Sequence, residues 1–148
     1  MLSQKCQYAV RAMFELARQY GEGPVRISEI AAAQAIPARF LEVILSQLRR
    51  AGMIQSRRGV DGGYFLPRPP GQVTVGEIIQ LVEGPLSPVT CVAGGTLKEC
   101  ALHGKCVFIR LWKRAEKAVC DVYDRTSLQD LVDDDATRRQ AASLSYSI

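Results

Sequence analysis

The stretch that decides the fold is Met53-Ile-Gln-Ser-Arg-Arg-Gly-Val-Asp-Gly-Gly-Tyr-Phe-Leu66. Met53 to Ser56 predicts one strand and Tyr64 to Leu66 a returning strand, because both are short runs bounded by turn residues. The segment from Arg57 to Gly63 carries three glycines and predicts a tight turn between them. A hairpin of this kind completes a winged helix when a helix-turn-helix comes directly before it.

Two helices separated by a sharp break do precede the hairpin. Ser28 is a suitable N-cap for a short, alanine-rich helix, and Ile36-Pro37 then interrupts the pattern. A longer helix is predicted from Pro37 to about Ala51, and an earlier one from Lys5 to about Tyr20. The buried stripe predicted for the longer helix consists of Phe40, Leu41, Ile44, Leu45 and Leu48.

The rest of the chain predicts a connecting helix capped by Thr74 and a long amphipathic helix from about Cys106 to Asp124. A chain of 148 residues has little else with which to cover the apolar surface of the long helix, which favours a second copy. We therefore predict a mainly α fold, a winged helix-turn-helix with a two-stranded wing plus a long C-terminal dimerisation helix. Its expected parts are a DNA-binding domain (1–68), a connecting helix (69–88), a cysteine sensor loop (89–106), the dimerisation helix with a short following helix that ends before Asp133 (106–133), and a flexible tail (134–148).

Charge is distributed unevenly along the chain. Residues 1–68 carry ten Lys and Arg against five Asp and Glu, a net of +5, whereas residues 69–148 carry nine against ten, a net of −1. Charge alone would favour an ordinary solvated surface, but on a winged helix it assigns nucleic-acid contact to the N-terminal part. No apolar run approaches the roughly 18 to 20 residues that span a bilayer, so we expect a cytoplasmic protein with no membrane partner.

Three of the five cysteines and the only histidine fall within residues 91–106. Cys91, Cys100 and Cys106, hereafter the loop cysteines, lie in a polar segment without a periodic apolar face, so packing does not explain them. Cys6 and Cys120 lie in helical patterns, where cysteine commonly serves as a small apolar residue. Since disulfides are disfavoured in the cytoplasm, the loop is typical of metal binding or redox sensing. Its three cysteines are one ligand fewer than the four of a tetrahedral metal site.

Seven motifs together form a specific combination: Tyr8 to Met13, Ile27 to Ala31, Phe40-Leu41-Glu42, Leu48 to Gly52, Arg58 to Tyr64, Val75 to Ile79, and the loop cysteines followed by Leu111-Trp112. With these motifs the chain resembles the Rrf-type bacterial transcription regulators, the family of IscR, NsrR, RirA and CymR, over roughly residues 1–133. The resemblance implies a homodimer with a crossed pair of long helices that binds a palindromic operator in double-stranded DNA.

In such a protein the helix from Pro37 would enter the major groove and the wing the adjacent minor groove. Arg39 can contact guanine or phosphate, and Glu42 can accept from cytosine N4, a role that the resemblance to IscR also implies. Arg49 and Arg57 are expected at phosphates, while Arg50 is equally suited to a phosphate contact and to solvent. The predicted DNA-binding residues are Arg39, Glu42, Arg49, Arg57, Arg58, Gly62, Gly63 and Tyr64.

The matching family members hold an iron–sulfur cluster on three cysteines, so the resemblance implies a 2Fe-2S or 4Fe-4S cluster on the loop cysteines. The fourth ligand departs from the family pattern. The position of the IscR histidine holds Ile109 here, and that of the acidic residue of NsrR-like members holds Tyr8. His103 is therefore a candidate ligand, and with the three thiols it would equally complete a zinc site. A solvent, small-molecule or partner-subunit ligand is the alternative.

Three functions follow from these observations. The first is a homodimeric repressor whose operator affinity is set by a cluster that senses iron–sulfur, iron, nitric oxide or redox status. The second is a cluster-free, thiol- or zinc-dependent regulator of the same fold, or one that acts through a partner enzyme. The third is a small metal-binding redox protein or enzyme. Against it, the sequence has no nucleotide-binding glycine motif and no nucleophile with its base, so we expect no catalytic residues and no enzyme activity.

Overall fold

The computed structural model describes residues 1–93 and 100–147. Its elements are α1 (Gln4–Arg18), α2 (Ile27–Gln34), α3 (Ala38–Arg50), β1 (Gln55–Arg57), β2 (Gly63–Phe65), a 3₁₀ turn (Pro70–Gln72), α4 (Val75–Val82), α5 (Ile109–Arg125) and α6 (Leu128–Tyr146). A helix-turn-helix followed by an antiparallel hairpin is the order of a winged helix, so the predicted fold class is confirmed. Within the described ranges, no helix is both long and apolar enough to cross a membrane.

One hydrophobic core joins the N-terminal helices to the beginning of α6. Helix α1 packs against α2, α3, α4 and α6, and it contributes Met13 and Leu16 to the interior. Leu41 and Leu48 of α3 are fully buried in the same cluster as Leu128, the first residue of α6. Burial of one leucine side chain contributes about 1.5–3 kcal/mol. The core of the winged helix therefore includes a residue from far along the chain.

The wing is a hairpin that is fixed to the segment between α1 and α2. Its two strands pair Gln55 with Phe65, Ser56 with Tyr64 and Arg57 with Gly63. Val25 adds a third strand-like partner, because it exchanges two backbone hydrogen bonds of 2.8 Å with Tyr64. These bonds set the position of the wing relative to the helix-turn-helix.

Two local predictions in the helix-turn-helix were wrong. Helix α2 begins at Ile27 with Arg26 rather than Ser28 as its N-cap. The carboxylate of Glu29 accepts a hydrogen bond of 2.8 Å from the Arg26 backbone N–H, and this bond takes over the capping that Ser28 was expected to provide. Phe40 does not join the buried stripe of α3. It is 48% exposed, and its ring lies 6.5 Å from the ring of Tyr8 on α1.

The N-termini of α4 and α6 are held together by backbone hydrogen bonds. The Val75 N–H donates to the Thr126 carbonyl at 2.9 Å, and the Leu128 N–H donates to the Val73 carbonyl at 2.8 Å. Thr74 caps α4 as predicted, because its hydroxyl accepts from the Glu77 N–H. We call these paired segments, residues 73–75 and 126–128, the clamp. The clamp joins the two ends of the chain segment that contains α4, the cysteine loop and α5.

Helix α6 continues well past its predicted end. The sequence predicts a short helix that ends before Asp133, but α6 extends to Tyr146. Asp135 accepts from the Arg138 and Arg139 side chains at 2.8 and 2.7 Å. Ion pairs one turn apart stabilise a helix, and the alanines that follow are the strongest helix formers. The three aspartates therefore lie inside α6, not at a helix end.

Candidate functional site

Helix α3 presents one face to the core and the opposite face to solvent. At 3.6 residues per turn, Leu41, Leu45 and Leu48 fall on one stripe, and all three are fully buried. The opposite stripe consists of exposed residues that begin at the N-terminal end of the helix. These exposed residues are Arg39, Glu42, Val43 and Arg50.

Aromatic rings support the first of these residues. The guanidinium carbon of Arg39 lies 5.0 Å from the centre of the Phe40 ring, and that ring lies 6.5 Å from the Tyr8 ring of α1. The guanidinium carbon of Arg11 lies 5.5 Å from the centre of the Tyr8 ring. An exposed cation–π contact contributes about 0.5–1 kcal/mol, enough to restrict a long side chain. Arg39 is thus supported at the N-terminal end of α3, the end at which a recognition helix meets base edges.

The C-terminal end of α3 is connected to the wing. Arg49 donates from its guanidinium to the Ser56 hydroxyl of β1 at 3.3 Å. The next arginine along the wing, Arg57, lies 5.8 Å from the centre of the Phe65 ring across the hairpin. Arg58 is exposed in the turn that follows. The predicted basic residues of the helix and of the wing therefore belong to one connected surface.

The tip of the wing is also held by a residue that the sequence analysis did not identify. The Arg26 guanidinium donates to the backbone carbonyl of Val60 in the wing turn. Arg26 precedes α2 and is far from Val60 in the sequence, so no periodicity or motif indicated the contact. Its effect is to restrain the turn that carries Arg58.

Two glycines of the wing are required by contacts within the wing itself. A Cβ on Gly62 would collide with the Arg57 carbonyl, and one on Gly63 would collide with the Val25 carbonyl. Gly63 also has a φ of 155°, which residues with side chains rarely adopt. Tyr64, half-buried beside them, makes the backbone bonds to Val25. The proposed DNA contact of this segment therefore rests on a backbone that only glycine permits.

The cysteine loop is described at its two ends. Residues 94–99 of the predicted loop lie outside the described residues. Cys91 and Cys106 are half-buried and Cys100 is exposed. The backbone N–H of His103 donates to the Cys100 carbonyl at 3.0 Å, so these two residues share one turn.

The loop has the donor chemistry of a metal site. Soft thiolates and an imidazole suit an iron–sulfur cluster or zinc. Across residues 1–93 and 100–147, no three His, Cys, Asp or Glu side chains lie close enough together to hold a metal ion. The ligand set of the loop cysteines and His103 therefore stays a prediction.

The two remaining cysteines lie in packed or acidic surroundings. Cys6 is fully buried, and burial together with the nearby Glu83 carboxylate raises the pKa of its thiol to about 11. Burial, followed by the negative charge of Asp124, also raises the pKa of Cys120. Both thiols are thereby kept protonated, which suits apolar packing rather than ligation.

Comparison with known proteins agrees with this arrangement. The Rrf2 family, described as iron-dependent transcriptional regulator, matches residues 2–134. The transcriptional regulator CymR of Bacillus subtilis is 39% identical over 130 residues, which cover 88% of this chain and 88% of CymR. This relative is named as a regulator of transcription rather than as an enzyme.

Solved structures show the same likeness. The structure titled as CymR, the global cysteine regulator of B. subtilis, has a TM-score of 0.75 at 38% identity and covers 90% of this chain and 96% of that one. The IscR structure from T. potens has a TM-score of 0.74 at 35% identity and covers 90% of this chain and 87% of that one. With the family match, the winged helix and these relatives, the chain belongs to the Rrf2 family of DNA-binding transcription regulators.

Proposed function

We propose that two copies of this chain bind a palindromic operator in the cytoplasm and repress transcription, and that an iron–sulfur cluster on the loop cysteines sets the operator affinity. Helix α3 of each copy enters a major groove, and the wing lies along the adjacent minor groove. The cluster responds to iron–sulfur, iron, nitric oxide or redox status. The domain boundaries expected from the sequence are part of this proposal. Residues 1–68 bind DNA, and residues 106–133 form the dimer.

The observation that carries the DNA-binding part is the connected surface formed by α3 and the wing. Arg39 is supported at one end of the helix, Arg49 joins the helix to β1, and Arg58 stands on the wing turn. Arginine in a narrow minor groove is favoured by the enhanced negative potential there. The helix thus selects bases while the wing contributes affinity and register.

The dimer is supported by the unpartnered face of α5. None of the described residues of this helix is buried, although its sequence is amphipathic. One side of the helix packs against α4, with Cys120 and Tyr123 half-buried. The other side exposes a stripe at helical spacing, hereafter the α5 stripe. Its members are Phe108, Leu111, Ala115, Val119 and Val122. A second copy related by a two-fold axis would cover this stripe with the same residues.

The sensing part is supported by the position of the loop in the chain. Cys91, Cys100 and Cys106 would hold the cluster, and a bound cluster supplies a centre that can change its oxidation state or be lost. Cys106 lies just before Ile109, where α5 begins. Helix α5 packs on α4, and α4 packs on α1 beside the helix-turn-helix. A change of the loop therefore has a short path to both the dimer helix and the DNA-binding face.

The DNA-binding part is tested with Arg58→Ala in a filter-binding or fluorescence-anisotropy titration at several salt concentrations. We expect weaker binding and a salt slope that is smaller by about 2, because the dimer loses one phosphate contact from each of its two wings. Arg138→Ala is a matched control, since Arg138 is an exposed arginine on α6. An Arg58→Ala protein with wild-type affinity and slope would remove this residue from the interface.

The sensing part is tested by anaerobic purification followed by absorption spectroscopy and metal analysis. Visible charge-transfer bands with stoichiometric iron and sulfide are expected, and a Cys100→Ser variant should lose them. A His103→Ala variant that keeps an unchanged spectrum would exclude this histidine as a ligand. Absence of iron from the wild-type protein would contradict the cluster while leaving the DNA-binding result intact.

A second candidate function is a cluster-free regulator of the same fold that uses the loop thiols or zinc. It is favoured by the likeness to CymR, whose structure is titled as the global cysteine regulator of B. subtilis. The same metal analysis separates the two candidates. Stoichiometric zinc, or operator binding that depends on thiol oxidation without any metal, would support the second.

A further inference from the structure

Val43 occupies an unusual position for an aliphatic residue. It lies on the solvent-facing stripe of α3, one turn after Arg39 and two turns before Arg50, and its side chain is 59% exposed. A single exposed valine on a protein surface requires no explanation. This one, however, lies at the centre of the face that meets the base edges in the proposed complex. There it can neither donate nor accept a hydrogen bond.

The major groove offers one apolar group to such a side chain. Each base pair presents hydrogen-bond donors and acceptors on its major-groove edge, and only thymine adds a methyl group. A desolvated valine beside a carbonyl or an amino group would leave that polar group unpaired, which is unfavourable. Against a thymine methyl, the same valine buries apolar surface on both sides. Val43 and thymine are therefore chemically matched.

The neighbouring side chains fix where this contact would fall. Arg39, supported by the Phe40 ring, lies on the same stripe toward the N-terminal end of α3. Glu42 precedes Val43 in the sequence and lies on the side of the helix that also carries Arg49. The Arg49 guanidinium donates to Ser56 of the wing. Around the helix axis, Val43 and Glu42 thus lie on opposite sides of Arg39, the residue suited to guanine.

We propose that Val43 is a specificity-determining residue that contacts the 5-methyl group of a thymine in each operator half-site. The inference rests on the proposed entry of α3 into the major groove, and it adds the base that one side chain selects. Because valine has no polar atom, the selection depends on the methyl group alone. Uracil, which pairs identically but lacks the methyl group, should therefore be discriminated against at that position.

The test begins with in vitro selection of binding sites by the full chain from a randomised DNA duplex pool. Each thymine of the selected site is then replaced by deoxyuridine, one position at a time, and affinity is measured by anisotropy. We expect one thymine per half-site at which uracil weakens wild-type binding about fourfold, the factor that corresponds to about 0.8 kcal/mol for one buried carbon group. Replacement in both half-sites should give about fifteenfold.

A Val43→Ala variant completes a double-mutant cycle between the side chain and the methyl group. At the sensitive thymine, uracil should then weaken binding less than twofold, while other positions keep their wild-type response. Val43 is exposed and alanine favours helices, so the variant should fold, which its unchanged melting curve would verify. Leu144→Ala, which trims an exposed aliphatic side chain on α6, is the matched control and should retain the full uracil effect.

The possible results distinguish failure of the thymine contact from failure of the proposed function. An enriched site at which uracil has no effect, or the same effect in wild type and Val43→Ala, overturns the thymine contact and leaves DNA binding intact. Failure to enrich any site overturns both. A wild-type uracil effect that disappears in Val43→Ala and persists in Leu144→Ala supports the contact.

Discussion

The five cysteines of this chain have different surroundings, and the surroundings decide their chemistry. Cys6 is fully buried and its pKa is raised to about 11, whereas Cys100 lies exposed in a turn with His103. Only the thiolate form of cysteine reacts with electrophiles or binds metals. The chain therefore contains inert thiols and accessible thiols.

This difference predicts which thiol an alkylating reagent will modify. A raised pKa means that Cys6 stays protonated at pH 8 and forms thiolate only as the pH approaches about 11. Iodoacetamide at pH 8 should modify Cys100 in the metal-free, folded protein and spare Cys6, as measured by peptide mass spectrometry. In urea all five cysteines should react. Equal modification of Cys6 and Cys100 in the folded protein would contradict the assignment.

Residue chemistry was more predictable from the sequence than residue contacts. The exposed positions of Arg39 and Glu42 follow from helical spacing, because spacing fixes which side of α3 a residue occupies. The support of Arg39 by Phe40 and of the wing by Arg26 involves particular rotamers and a contact between distant residues. Neither leaves a periodic signal, so the sequence gives no indication of either.

Among the elements, the wing depends most strongly on single residues. Arg26 restrains the turn of the wing, and Val25 pairs with its second strand. Glycines permit the path of its backbone. The sequence predicted the hairpin because glycines and short β-favouring runs indicate a turn between strands. It could not show that Val25 pairs with the hairpin, because that pairing joins segments separated by two helices.

Gly63→Ala tests this dependence at the level of the element. The new Cβ would meet the Val25 carbonyl at a backbone conformation unfavourable to alanine. We expect a loss of about 1–3 kcal/mol in the free energy of unfolding, measured in urea with an unchanged m value. Gly71→Ala is the control, since its Cβ would meet only a side-chain carbon at 3.9 Å. Equal stability of the two variants would show that the wing can relax around residue 63.

At the scale of the whole molecule, the apolar surface is divided between a core and a free face. The core extends from α1 through the helix-turn-helix to Leu128, so residues 1–68 do not contain all of it. The domain boundary expected at residue 68 stays a prediction. The α5 stripe is exposed in the single chain, and its burial by a second copy stays a prediction.

The proposed dimer predicts the effect of a charge on the α5 stripe. Val122 is 63% exposed in the single chain, and Val122→Glu would force each copy to bury a carboxylate. We expect the dimer dissociation constant to rise roughly 100-fold, with a shift to monomer in sedimentation velocity. Leu144→Glu, on α6, should sediment like the wild type. A Val122→Glu protein that stays dimeric would place the interface elsewhere.

The clamp has a consequence for how this protein can diverge. Because residues 73–75 and 126–128 are bonded to each other, and α5 packs on α4, the chain between Val82 and Ile109 joins two helices that are held together by contacts outside it. Doubling the length of a flexible loop costs only about 0.6 kcal/mol in closure entropy. Insertions between Cys91 and Cys100 can therefore accumulate without disturbing the core. The spacing of the loop cysteines can change in this way while the fold of the winged helix stays the same.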